Sequence, residues 1–217
     1  PEGHWYGLSS RARVIVYSKA RVKAADVPSY ESLSAAANKG RVCVRSGSHP
    51  YNLSLVAAMI EHLGEPKAEA WARGVVANFA RAPKGGDTDQ IKAVAAGECD
   101  VALSNSYYYA RLLRSAKVED QEVVAKAGIV WPDQAGFGAH VNISGAGVLK
   151  NAPHREAAVR FLEYLASDEA QRYFADGNNE WPAVAAVAVK NAALEAMGRF
   201  KADALPAEAL PTGKARV

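Results

Sequence analysis

The chain has 217 residues, of which 49% are hydrophobic and 23% charged, the composition of a globular protein with one large or two small domains. Its net charge is +3 and its Lys and Arg residues are scattered, which does not favour nucleic-acid binding. The sequence has no stretch of about 18 apolar residues, so no membrane-spanning helix is predicted.

Strands and helices are predicted to alternate in the first part of the chain. Residues 11–18 are rich in β-branched side chains and predict a strand, and residues 30–37 predict a short helix. Residues 41–45 form a compact apolar run, typical of a strand buried on both faces. Apolar residues at helical spacing then predict a helix over 52–63, which Gly64 ends.

The same alternation continues toward the C-terminus. The pattern predicts a helix at 67–74, a helix capped by Asp87 or Thr88, strands at 99–104 and 129–131, an extended segment at 141–148, and helices at 154–165 and 168–176, the last capped by Ser167. We therefore expect an α/β fold with a mostly parallel sheet flanked by helices.

Three consecutive tyrosines, Tyr107, Tyr108 and Tyr109, follow the predicted strand at 99–104 and open the next helix. Tyr51 likewise follows the preceding predicted strand. Ligands of parallel sheets bind beyond the carboxyl ends of the strands, so the topology places Tyr51, Tyr107 and Tyr108 around one crevice. The alternative is that these are core rings with surface hydroxyls, and it stays open at this point.

The tyrosine hydroxyls suit a hard metal ion. The positive end of a helix favours an anion, and a phenolate is a hard oxygen donor. Because the pKa of a free phenol is about 10, a bound cation must displace the proton. Oxygen-only donors of this kind favour a small hard cation such as Fe(III).

Two competing kinds of site have weaker support in the sequence. His49 lies two residues from Tyr51 and would join the metal site, although a surface or capping role is the commoner reading. No HxxH, HExxH, P-loop, G-x-S-x-G or G-x-G-x-x-G pattern is present. We therefore do not expect an enzyme.

Several polar residues near the predicted strand ends could hold an anion that completes the coordination of a metal. The default interpretation of three arginines in this region, Arg11, Arg13 and Arg45, is that they are solvated surface charges. The alternative is that one of them binds such an anion. The side chains that would donate hydrogen bonds to the same anion are those of Ser46, Ser48 and Asn105.

The chain has two cysteines, Cys43 and Cys99, and each lies eight residues before one of these tyrosines. If both lie at the same height on neighbouring strands about 4.8 Å apart, they are within disulfide reach. Two buried free thiols are the alternative. A disulfide would imply an oxidising compartment.

Six segments resemble the bacterial ferric-iron-binding periplasmic proteins, the substrate-binding components of iron(III) ABC importers. They are Leu8–Val14, Arg41–Ser46, Tyr51–Leu55, Gly85–Gly97, Ser104–Tyr109 and His140–Gly147. The resemblance implies a two-lobed type II periplasmic binding protein with crossover strands at a hinge and iron in the cleft between the lobes.

The resemblance also implies the roles of individual residues. Tyr107 and Tyr108 match the adjacent iron-ligating tyrosines of an N-[SN]-Y-Y motif, and Tyr51 matches a further ligand. Tyr109 would pack in the core. Arg11 matches an arginine that holds a synergistic anion such as carbonate.

The implied organisation is a partial one, because a segment of about 100 residues of the first lobe has no counterpart in the chain. Residues 14–140 would form the second lobe, residues 1–13 and 141–190 the crossover strands and a partial first lobe, and residues 191–217 a segment returning to the second lobe. The loop Ser46–Tyr51 and the segment Asn179–Pro182 depart from the family pattern; the first change bears on the pose of Tyr51, the second on lobe packing.

The expected function is capture of Fe(III) by tyrosinates and its delivery to an ABC permease in the inner membrane. We expect a monomeric periplasmic protein. The alternative is an anion- or small-molecule-binding protein of the same fold that does not use iron.

Overall fold

The structure, a computed structural model, describes residues 5–206. Its strands are β1 (Tyr6–Ser18), β2 (Val42–Cys43), β3 (Val101–Asn105), β4 (Ala127–Val130), β5 (Val141–Ala146) and β6 (Trp181–Pro182). Its helices are α1 (Pro50–Leu63), α2 (Glu65–Ala77), α3 (Asp87–Ala96), α4 (Ser106–Arg114), α5 (Val118–Lys126), α6 (Arg155–Leu165), α7 (Asp168–Asn178) and α8 (Ala192–Ala196). The expected returning segment lies outside the described residues over 207–217, as does the start of the predicted crossover segment over 1–4.

The long strand β1 organises the sheet. Its first half, from Tyr6 to Ala12, pairs antiparallel with β5, and its second half pairs antiparallel with β3 and β4. The change of partner falls at Ala12 and Arg13, where the Arg13 amide donates to the carbonyl of His140 at 2.8 Å. One continuous strand therefore runs through both halves of the molecule.

The expectation of a mostly parallel sheet is wrong. β2 and β3 pair in parallel, and β3 and β4 both run opposite to β1, so β2, β3 and β4 share one direction and β1 lies antiparallel between β3 and β4. The strands that helices connect, β2, β3 and β4, are parallel, as such connections require. The long strand β1 precedes them in the chain and runs in the opposite direction. The sheet is mixed, and the α/β class with flanking helices is confirmed.

Most predicted helices are present, with shifted ends. His49 caps α1 and Gly64, at φ +79°, ends it; Ser167 caps α7 as predicted, accepting from the amide of Ala170. The helix expected at 30–37 is instead two 3-10 turns, because Ala35 between them takes an extended conformation.

Two cores lie on opposite faces of the sheet. Along β1, Val14 and Val16 belong to one core with α3 and α4, whereas Ile15 belongs to the other with α1 and α2. Alternate side chains of a strand point to opposite faces, so a run that is apolar at every position is buried on both sides.

A disulfide joins Cys43 of β2 to Cys99, just before β3, with 5.9 Å between the Cα atoms. Both cysteines are buried in the core that contains Val14 and Val16. The bond ties together the two parallel strands that precede the tyrosines.

We expect reduction of this disulfide to lower the free energy of unfolding by about 3–4 kcal/mol, because it frees a closed loop that spans a sequence separation of 56 residues. Urea unfolding with and without a reductant measures the change. The double variant Cys43→Ser/Cys99→Ser should be insensitive to reductant, and an equally insensitive wild-type chain would mean that the thiols are free.

Candidate metal centre

Tyr51 and Tyr107 occupy equivalent places on two neighbouring strand-to-helix connections. Tyr51 is in the first turn of α1, after β2 and its loop, and Tyr107 is in the first turn of α4, directly after β3. Because β2 and β3 are parallel, both helices begin at the same edge of the sheet.

The structure brings the three predicted tyrosines together. The hydroxyl oxygens of Tyr51 and Tyr107 are 3.0 Å apart, and the ring centroids of Tyr107 and Tyr108 are 4.2 Å apart. Tyr107 is buried, whereas Tyr51 and Tyr108 are partly exposed. Tyr109 is buried in the core, as the resemblance implied, and its hydroxyl donates to the carbonyl of Ala127 at 3.0 Å.

The hydroxyl of Tyr107 is strongly disposed to keep its proton. Burial raises the pKa of Tyr107 above its usual range, and the adjacent hydroxyls of Tyr108 and Tyr51 raise that pKa further. Without a cation the group is therefore a neutral phenol at physiological pH. Its ionisation requires a positive charge placed directly at the oxygen.

Arginines surround the tyrosine rings. The guanidinium carbons of Arg45, Arg11 and Arg13 lie 5.3, 5.8 and 5.9 Å from the centroid of the Tyr51 ring. Arg111 lies 5.5 Å from the Tyr108 ring, also within cation–π range. This positive surround favours phenolates and bound anions, and it disfavours a metal cation whose charge is not offset by such ligands.

A buried carboxylate holds the two tyrosine-bearing connections in place. Asp87 lies at the start of α3. Its Oδ2 accepts from Arg13 Nη1 at 2.5 Å and from the backbone amide of Asn105 at 2.7 Å, and its Oδ1 accepts from Arg45 at 3.1 Å. Arg13 also donates to Asn52 Oδ1, next to Tyr51, at 2.7 Å. The side chains of Arg13 and Asp87 are both fully buried.

Sequence reasoning missed this network. It treated Arg13 as a solvated charge and Asp87 as a helix cap, because a buried ion pair between residues 74 positions apart leaves no local signal. The position of Arg13 directly before the apolar run Val14–Val16 could have indicated its burial, because a buried charge is retained only if it is paired, but it does not identify the partner.

The residues predicted to hold an anion fall into two groups. Asn105 is buried at the foot of α4, where its Oδ1 accepts from Arg13 and its Nδ2 has no partner among the described residues. Arg11 lies near Tyr51 and donates to Ser144. Ser46 and Ser48 are exposed and hydrogen-bond each other at 2.8 Å, and Ser48 also lines an apolar groove with Leu53, Val56 and Trp71.

His49 takes the capping role. Its Nδ1 accepts from the Tyr51 amide at 3.3 Å, and burial together with the charge of Arg45 lowers the pKa of His49. Across residues 5–206, no three His, Cys, Asp or Glu side chains are grouped so as to hold a metal ion. The phenol oxygens of Tyr51 and Tyr107, which the sequence predicted as metal ligands, do lie together at this edge.

A profile of the bacterial extracellular solute-binding proteins matches residues 1–201. The chain belongs to this family. It is 53% identical over 207 residues to iron uptake protein A2 of Synechocystis. This alignment covers 94% of the chain and 60% of the relative. The chain is also 29% identical to the Fe(3+)-binding periplasmic protein of Serratia marcescens, in an alignment that covers 98% of the chain and 61% of that protein.

A solved structure of the Trichodesmium protein IdiA (FutA) in complex with iron and citrate superposes with a TM-score of 0.93 at 52% identity, over 99% of this chain and 68% of that one. The type II periplasmic-binding-protein fold is thereby confirmed. The chain therefore spans only about 60% of the length of iron uptake protein A2.

Among residues 5–206 of this chain, no helix is both long enough and apolar enough to cross a bilayer.

We expect Asp87→Asn to lower the free energy of unfolding by about 3–5 kcal/mol, because it leaves Arg13 buried without its counter-charge. Denaturant unfolding of the oxidised chain measures the loss. The matched control is Glu69→Gln, which breaks an exposed helical pair with Arg73 and should cost no more than about 0.5 kcal/mol. Similar losses in the two variants would contradict a structural role for the buried pair.

Proposed function

We propose that this chain provides the tyrosinate side of a ferric-iron site, with Tyr51, Tyr107 and Tyr108 as ligands. The observation that carries the proposal is the 3.0 Å separation of the Tyr51 and Tyr107 hydroxyl oxygens. Two oxygens bound to adjacent positions of one small cation, at bond lengths of about 2 Å, lie about 3 Å apart. The ring of the third phenol, that of Tyr108, lies beside the Tyr107 ring at an interplanar angle of 31°.

The protonation of the tyrosine cluster fits reversible binding of Fe(III). Fe(III) displaces phenol protons that the empty site retains, so binding releases protons and weakens as the pH falls. The arginines around the rings stabilise the resulting phenolates. Iron as the bound metal is supported by the relatives, whose names state iron uptake and Fe(3+) binding.

The remaining ligands would come from the facing lobe and from an anion. Arg11, with a buried Nε that has no partner in the described structure, and Asn105, with an unpartnered Nδ2, are the candidates to hold that anion. Carbonate fits these donors, and the Trichodesmium relative was solved with citrate as well as iron. Ser46 and Ser48 remain proposals at the rim of the site.

We propose the same lobe division that the sequence predicted, with 14–140 as the second lobe and the hinge where β1 changes partner. Rotation about that hinge would close the first lobe over the metal. The closed form would then deliver iron to an ABC permease from the periplasm, a role supported by the family and by the periplasmic Serratia relative.

A second candidate is binding of an anion without iron. It is favoured by the arginines at positions 11, 13, 45 and 111 around the rings, the first three of which each have a buried Nε without a partner in the described structure. In that case the tyrosines would act as neutral hydrogen-bond donors.

Ferric citrate should give the chain a red or purple colour from tyrosinate-to-iron charge transfer, and the second candidate predicts none. Tyr107→Phe and Tyr108→Phe should each weaken iron binding by at least about 100-fold, more than the 10–100-fold typical of outer-shell changes. Absorption titration measures both effects. Tyr109→Phe is the matched control, since its ring faces the core, and an equal loss in that variant would refute the assignment.

Proton release gives an independent check. Because the pKa of Tyr107 is raised, the metal-free phenol should stay protonated well above pH 10, and ultraviolet titration of wild type and Tyr107→Phe should coincide below that pH. Iron binding at pH 7 should release one proton fewer in Tyr107→Phe than in wild type, measured in weakly buffered solution. Equal release would mean that Tyr107 is not a ligand.

A further inference from the structure

A chain of hydrogen bonds between three side chains joins helix α1, which carries Tyr51, to strand β5. The hydroxyl oxygen of Ser54, in α1, accepts from Asn142 Nδ2 at 2.6 Å and lies 2.8 Å from His140 Nε2. Asn142 Nδ2 also lies 3.3 Å from the same ring nitrogen. The partners of Ser54 are 86 and 88 positions away in the sequence, so these bonds fasten one element to another.

The donors and acceptors of this chain fix its direction. An amide nitrogen such as Asn142 Nδ2 can only donate, so it donates to the Ser54 oxygen and to the ring nitrogen. His140 Nε2 is therefore an acceptor to which the Ser54 hydroxyl also donates, and we assign the proton of the neutral ring to Nδ1. Burial lowers the pKa of His140 to about 4, which keeps the ring neutral at physiological pH.

The backbone of His140 is held at the place where β1 changes partner. Its carbonyl accepts from the Arg13 amide at 2.8 Å, and its amide donates to the Tyr30 hydroxyl at 3.0 Å. That hydroxyl donates in turn to the Arg13 carbonyl at 2.6 Å. His140 is thus tied to the middle of β1 both directly and through Tyr30, which gives its ring a fixed position beside α1.

One face of the β1–β5 pair is turned toward the start of α1. Arg11 and Asn142 are direct cross-strand partners, so their side chains share a face. Asn142 contacts Ser54, and the Arg11 guanidinium lies 5.8 Å from the centroid of the Tyr51 ring. Tyr51 and Ser54 are three residues apart in the helix and are therefore neighbours on its surface. The hydrogen bonds to Ser54 consequently act beside the tyrosine.

We propose that His140 and Asn142 are positioning residues for Tyr51, which they hold through Ser54 where its oxygen meets that of Tyr107. Tyr107 follows β3 with no intervening loop, whereas residues 44–49 separate β2 from α1. The position of Tyr51 therefore depends on contacts that hold α1 itself. The inference rests on the proposed function, because it takes Tyr51 as an iron ligand.

A metal-free measurement tests the positioning directly. In the chain labelled with ¹³C at the tyrosine Cζ atoms, Ser54→Ala should shift the Tyr51 resonance, assigned by its loss in Tyr51→Phe, and leave that of Tyr109 in place. Ser54→Thr keeps the hydroxyl and should retain the wild-type Tyr51 resonance. The matched control is Ser115→Ala, which removes a hydroxyl that donates to Asp120 at 2.6 Å beyond the far end of α4. An unchanged Tyr51 resonance in Ser54→Ala would overturn the proposal.

The other two members of the chain are tested in the same way. Asn142→Ala and His140→Phe remove the amide donor and the ring acceptor, and both should shift the Tyr51 resonance. Asn142 is half-buried, so its variant should fold even where loss of the buried His140 ring prevents folding. A Tyr51 resonance that stays in place in a folded Asn142→Ala chain would also overturn the proposal.

Iron titration shows whether the effect on the metal passes through Tyr51. With ferric citrate, Ser54→Ala should lose affinity about tenfold, as residues that orient a ligand do, and Ser115→Ala should lose none. In a Tyr51→Phe background Ser54→Ala should change the affinity less than about twofold, because no phenol is left to orient. A tenfold loss that persists in that background would overturn the proposal. A wild-type chain that binds no iron would refute the proposed function, and the metal-free resonances would then decide the positioning role alone.

Discussion

The carboxylate of Asp87 is the group on which the geometry of the candidate centre depends. It receives hydrogen bonds from β1, through Arg13, from the backbone at the foot of α4, and from Arg45 after β2. These three segments are distant in sequence, and the tyrosines lie on the helices that begin beside two of them. A charge with no exposure to water must be paired, so the strands and loops can meet only in the arrangement that satisfies it.

In the proposed iron site, the metal-binding oxygens of the tyrosine cluster would be protonated until the metal binds. Burial and neighbouring hydroxyls keep Tyr107 neutral, while arginines nearby would stabilise negative oxygen once it forms. In the proposed iron site, a weakly charged cation would not offset the cost of removing these protons, whereas a trivalent one would. Selectivity for a hard, highly charged metal would then follow from a site that resists ionisation until the metal arrives.

Local patterns in the sequence sufficed for most of the helices and for the meeting of the tyrosines, but not for the segment 30–37, where two 3-10 turns replace the predicted helix. Helical spacing located α1, and the shared position of Tyr51 and Tyr107 after parallel strands located the cluster. The direction of β1 could not be predicted, because it depends on partners that come later in the chain. The burial of Arg13 was missed for the same reason, since its counter-charge is 74 residues away.

The covalent link between Cys43 and Cys99 has a topological consequence. It closes a ring of backbone that contains α1, α2 and α3, with Tyr51 inside the ring and Tyr107 just beyond its exit. A protease that cuts once between residues 44 and 98 would open the ring without separating the fragments. The nicked molecule would migrate as one species until reduced, and the strand leading to Tyr51 would stay fastened beside the strand leading to Tyr107.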